Sequence, residues 1–274
     1  VLKANTITLN DGTSELEVDG AATVTGNIVT SADNEGILDV DESFTMVGSV
    51  GADNTDLNVA NIDTGKIMTL SNAGYHVVTT TMAGTDSEIV FNADDADVDG
   101  IINGASTNEG VLDVNANVTF KGVIGTNKMQ DIQVAADKTV TLQGATVATT
   151  SLTLQGASDS STVVFGGQAG NSTTAFTGNI VATGVGGVVT LSGDAADAIG
   201  HTITGSIGAT SAANYVGTIN VGNDNTDGAT TTDVHTATIN VFADTIAFSA
   251  TGTSGSTTVG GTFKSTCAST CSTT

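Results

Sequence analysis

Short runs that alternate aliphatic with small polar residues recur from one end of the chain to the other. Thr6-Ile7-Thr8-Leu9, Ile67-Met68-Thr69-Leu70, Thr139-Val140-Thr141-Leu142 and Thr218-Ile219-Asn220-Val221 are examples. Successive side chains of a strand point to opposite faces, so each run lays its aliphatic residues on one side and Thr, Asn or Ser on the other. Thr is stiff about χ1 and fits a pleated surface. Gly, Asn, Asp and Ser, the residues of tight turns, fill the gaps between runs. No segment carries a convincing helical period, and the expectation is an all-β chain.

The runs belong to a longer repeat. Asn34-Glu35-Gly36-Ile37-Leu38-Asp39-Val40 returns as Asn108-Glu109-Gly110-Val111-Leu112-Asp113-Val114. Phe44-Thr45-Met46 then answers to Val118-Thr119-Phe120, and Gly48-Ser49-Val50-Gly51 to Gly122-Val123-Ile124-Gly125. Residues 34–70 and 108–142 are the two most similar copies, offset by 74 residues at the start and 72 at the end. A looser third copy is Gly205-Ser206-Ile207-Gly208 followed by Ile219-Asn220-Val221. Solenoid coils take about 20 residues or a little more, so three coils are expected to fill the offset. The reading is a right-handed parallel β-solenoid over residues 1–250, followed by a Gly/Ser/Thr-rich tail over 251–274. Tandem β-sandwich domains are the alternative. Those usually carry a core Trp and some Pro, and this chain of 274 residues has neither.

Composition narrows the function. Six Lys and no Arg stand against 29 acidic residues, a net charge of −23. Nucleic acid is bound by cations that displace counterions, and Arg supplies the bidentate fork for phosphate and guanine. Nucleic acid is therefore set aside as a partner, and an anionic membrane surface would repel the chain. No stretch approaches the ~20 apolar residues of a membrane-spanning helix, so direct membrane insertion is not expected. With an aromatic share of only 4%, the core has to be thin and aliphatic. The chain starts at Val1 without a recognisable leader, which reads as a mature or excised segment.

The recurring Gly-x-Ile/Val-Gly, then Ile/Leu-x-Val, then Thr-x-Thr-Leu resembles the passenger regions of rickettsial outer membrane protein B and related surface cell antigens. Gly122 through Gly144, Thr177-Gly178-Asn179-Ile180 and Thr204 through Gly222 carry the likeness, within Asn34 to Val241. The resemblance implies an autotransporter passenger, a solenoid displayed outside the cell, with roles in adhesion and surface coats.

Candidate sites are few. Asp95-Ala96-Asp97-Val98-Asp99-Gly100-Ile101-Ile102 matches the first half of a calcium loop, with oxygens at alternate positions and a Gly at the bend. Asp95, Asp97, Asp99 and the carbonyl of Ile101 are the expected calcium ligands. The acid expected at the twelfth position is replaced by Ser106. Asn223 to Gly228 is a weaker echo. Cys267 and Cys271 are a candidate disulfide, within one chain or between two; two thiols are too few for a structural zinc site. His76, His201 and His235 sit in no catalytic motif, and glycan-cleaving clefts usually add Arg and stacking aromatics that are absent or scarce here. The expectation is a non-enzymatic, extracellular cell-surface protein: a coat, stalk or filament subunit that assembles into a homopolymer through its solenoid ends or edges. A monomeric adhesin that binds a host-cell receptor or a surface glycan is the alternative.

Overall fold

A computed structural model describes residues 1–72, 74–156, 160–166, 174–184, 186–193, 201–209, 215–223, 236–237 and 241–249. Among these there is no helix. The chain divides into two compact units, Val1–Ile132 and Gln133–Thr274. Strands β1 (Leu2–Leu9), β2 (Glu15–Val18), β3 (Ala22–Thr30), β4 (Glu35–Val40), β5 (Phe44–Val47), β6 (Leu57–Ile62), β7 (Ile67–Leu70), β8 (Gly74–Met82), β9 (Glu88–Phe91), β10 (Ala96–Gly104), β11 (Glu109–Val114) and β12 (Val118–Phe120) lie in the first unit. Strand β13 (Ile124–Val134) runs across the division. The second unit holds β14 (Thr139–Leu142), β15 (Thr146–Leu154), β16 (Thr162–Phe165), β17 (Ala175–Ala182), β18 (Val188–Gly193), β19 (Thr202–Thr204), β20 (Val216–Asn223), β21 (Thr236–Ala237) and β22 (Ala243–Ser249).

Strands in each unit pair in parallel with the strand about one coil further along the chain, which makes each unit a parallel β-solenoid and sets the sandwich alternative aside. Three columns of pairing run through the first unit. One joins Ala22, Phe44, Met68, Ile89 and Leu112. The next joins Ile28, Val50, Tyr75, Val98 and Phe120. The third joins Leu16, Leu38, Ala60, Thr80, Ile102 and Ile124. Successive members are 20 to 25 residues apart. In the second unit the coils lengthen: Val163 pairs with Val189 and Val189 with Ile219, offsets of 26 and 30.

These columns correct one expectation. Three coils do not fill the 74-residue repeat. Leu38 belongs to the third column, whereas its counterpart Leu112 belongs to the first. Phe44 and Met46 lie in the first column, and their counterparts Val118 and Phe120 in the second. The repeat therefore climbs three coils and advances by one further face.

Local chemistry explains why the Asn-Glu motif recurs. Asn34 and Asn108 take left-handed φ values of 61° and 66°, which Asn tolerates better than most residues. The carboxylate one residue on closes the turn: Glu35 Oε2 accepts the Ala32 N–H at 3.0 Å, and Glu109 Oε2 accepts the Ser106 N–H at 2.7 Å.

Corners are set by glycine. At three places two residues oppose a single glycine on the next coil, a β-bulge: Ala4-Asn5 against Gly26, Val77-Val78 against Gly100, and Thr149-Thr150 against Gly178. A Cβ on Gly26, Gly100 or Gly178 would overlap the backbone carbonyl oxygen of Ala4, Val77 or Thr149. Gly48 then rests on Gly26, and Gly122 on Gly100, in the same way. Gly26 to Gly100 and Gly48 to Gly122 are each 74 residues, so these glycine pairs follow the same one-face advance.

The core is aliphatic with a few rings. Leu38, Val40, Met46, Leu57, Leu112 and Val114 are fully buried. Each such side chain contributes about 1.5–3 kcal/mol relative to exposure. Tyr75, Phe91 and Phe120 stack edge to face, with centroids 6.4 and 5.3 Å apart. The Tyr75 hydroxyl and Thr80 Oγ1 are 2.7 Å apart inside the core. That bond lets a phenol sit fully buried; burial pushes its ionisation far above the ordinary range.

Candidate functional site

The calcium-like segment forms a strand. Asp95 is exposed in the turn ahead of β10 with φ 60°, and β10 starts at Ala96. Ala96, Val98 and Ile102 point inward, which carries Asp97 and Asp99 to the outer face. Gly100 takes a positive φ of 87° at the bulge against Val77-Val78.

Both outward carboxylates are engaged. Asp97 Oδ2 accepts a hydrogen bond from Lys121 Nζ at 2.9 Å, and that bond raises the lysine pKa. Asp99 Oδ2 lies 2.8 Å from His76 Nδ1. Asp53 and Asp99 also act on Lys121 through their charges. Asp56 belongs to the same neighbourhood; burial raises its pKa first, then the charge of Asp33, while His76 opposes the shift. His76, Asp99 and Lys121 stand on three successive coils, so the pairs stitch neighbouring strands across the second column. Half-buried pairs at the surface such as these each contribute on the order of 1 kcal/mol. Among the described residues no group of three or more His, Cys, Asp or Glu side chains is gathered as for a metal ion.

His201 is buried in the second unit, 6.3 Å from the Phe165 ring, and its Nδ1 accepts the Thr174 N–H at 3.3 Å. His235, Cys267, Cys271 and residues 224–228 lie outside the described residues.

The other candidate is an edge. Among the described residues β1 pairs with β3 alone, and β2 with β4 alone. Only Leu9 of β1 is buried. Val1 is 84% exposed and Leu2 44%, the largest exposures among large hydrophobic residues described. A groove of about 500 Å³ opens beside Val1, between Ala21, Thr23, Ser43, Thr45 and Ile67. Among the described residues the far side of β1 and β2 has no partner strand, and an edge of that kind is a template for another parallel strand. The alternating run Thr6-Ile7-Thr8-Leu9 falls on β1 as its pattern implies, but the charged stitch was not legible in the sequence. Lys121 and Asp97 are 24 residues apart, and only the coil length brings them together.

The class these features define is a parallel β-solenoid. Compared with family models, with curated proteins and with solved structures, the chain matches none. The likeness to rickettsial surface antigens rests on the motifs quoted above.

Proposed function

We propose that this chain is a non-enzymatic, extracellular structural protein of a cell surface, a coat, stalk or filament subunit that joins its own copies through strand pairing. The observation that carries the reading is the one-sided pairing of β1 and β2. An unpaired parallel edge is completed by another parallel coil; residues of a longer parent chain could supply it, and so could a second copy, whose coils match in length and pleat. A charge of −23 opposes casual association, so joining has to be specific.

Light scattering on the purified chain tests this, with and without calcium and with and without reductant. Growth of mass with concentration supports assembly, and Leu2→Lys with Thr6→Lys on β1 abolishes it. A monomer at every concentration and condition removes the homopolymer and leaves the monomeric adhesin. The calcium reading of Asp95, Asp97, Asp99 and the Ile101 carbonyl is one arm of the experiment. A calcium-dependent rise in melting temperature supports it, and silent titration calorimetry removes it. The reductant arm reports on Cys267 and Cys271.

A further inference from the structure

Carboxylates stack on the first coils of the first unit, as a pair on the strands and as a row of three in the turns beside them. Glu17 on β2 pairs in register with Asp39 on β4, and Asp39 with Asn61 on β6. Just beyond the strand ends stand Asp19, Asp41 and Asp63, each 22 residues from the next. The Asp41 N–H donates to the Val18 carbonyl and the Asp63 N–H to the Val40 carbonyl, so these turns stack coil on coil. Neighbouring strands are about 4.8 Å apart, and like charges directly opposite are destabilising.

Among the described residues, the charged groups acting on Glu17 and Asp39 include no cation. The groups acting on Glu17 are Asp41, Asp19, Glu15 and Asp39, all acidic. Those acting on Asp39 are Asp41, Glu15 and Asp63. The nearby Lys66 ammonium is bonded to Glu42 at 2.9 Å. The chain's own repeat provides the comparison. Asp39 recurs as Asp113, but Asp41 recurs as Asn115, whose Nδ2 donates to Asp113 at 3.0 Å. One copy thus sets an amide donor beside the strand aspartate, and the other sets a second carboxylate there.

We infer that the stacked carboxylates make the first coils an acid-tightened clamp: β2 and β4 hold together more firmly as the pH falls from neutral, and the first coil frays more readily as it rises. β2 is suited to this, being four residues long and paired on one side. The pKa directions agree. Asp41's charge is the largest influence raising Glu17, while burial followed by Asp41 raises Asp39. An acid whose folded pKa lies above its unfolded value binds more protons when folded. Stability is then greater below the unfolded pKa and declines as the pH rises through the folded one. The clamp stands whether or not the chain assembles.

Amide hydrogen exchange on the dilute full chain at pH 5.0 and 7.5 tests it, expressed as protection factors so that intrinsic exchange chemistry cancels. Protection of Glu15–Val18 and Glu35–Val40 is expected to be greater at pH 5.0 than at pH 7.5. Asp41→Asn, which copies the arrangement at Asn115, is expected to raise protection at pH 7.5 and diminish the pH response, most of all at Glu15–Val18. Asp63→Asn, in the turn beyond β6, is expected to act in the same direction on Glu35–Val40. Equal or lower protection in acid, or an undiminished pH response in Asp41→Asn, overturns the inference.

Discussion

Replacing Gly122 with alanine tests the stacking of the corners. A Cβ there would lie 2.5 Å from the Gly100 carbonyl carbon and nearer still to its oxygen. No flexible side chain can yield, because the obstruction is backbone, so the two coils have to part. Two hydrogen bonds flank the contact: the Lys121 N–H to the Val98 carbonyl at 2.9 Å, and the Ile102 N–H to the Val123 carbonyl at 3.0 Å. Overpacking costs about 1–3 kcal/mol and each weakened bond about 0.5–1.5 kcal/mol, a total of about 2–6 kcal/mol. Nothing lies within 4 Å of a Cβ on Gly20, so Gly20→Ala is the matched control. It is expected to change stability by less than about 1 kcal/mol. Urea unfolding followed by circular dichroism measures both, and amide exchange locates the damage around β10 and β12. If Gly122→Ala lies within about 0.5 kcal/mol of the wild type, the close approach of backbone to backbone at this corner is wrong.

The core supports further tests. Tyr75→Phe removes the buried bond to Thr80 and leaves that hydroxyl without it, at a cost of about 1–3 kcal/mol in denaturant unfolding. Alkaline spectrophotometric titration should show the Tyr75 phenol ionising only as the first unit unfolds, since burial holds its pKa far above the usual range. Phe91→Ala breaks both edge-to-face contacts, with Tyr75 and Phe120, and should cost about 3–5 kcal/mol. Glu88 and Asp113 are both pushed upward, chiefly by burial. Their ionisation opposes folding above the carboxylate range, so Asp113→Asn is expected to raise the melting temperature at pH 7.5 more than at pH 5.0. A larger gain at pH 5.0 would contradict that assignment.

The fold was legible because alternation is a strong local signal. Thr139 to Leu142 places Val140 and Leu142 inside and the two threonines outward, as the pattern implies. The coil length also came through: the first unit's 20 to 25 residues match a period of a little over 20. The repeat was visible, but its pitch was not. Telling three whole coils from three coils and a face requires knowing which strands pair, and pairing is non-local. The Asp95 segment shows a different ambiguity. A strand that alternates Asp with Ala or Val reads the same as a loop that offers oxygens at every second position. Burial of Ala96 and Val98 decides for the strand, and burial is a property of neighbouring coils. The charged stitch and the stacked carboxylates were hidden for the same reason, since their members are 22 to 24 residues apart in sequence.

Electron microscopy of the purified chain, with light scattering on the same sample, addresses the assembly reading most directly. The account predicts threads or sheets of joined copies in the wild type, and single particles for the chain carrying Leu2→Lys and Thr6→Lys on the open edge of β1. Single particles of the wild type at high concentration, under every condition of calcium and reductant, would contradict it.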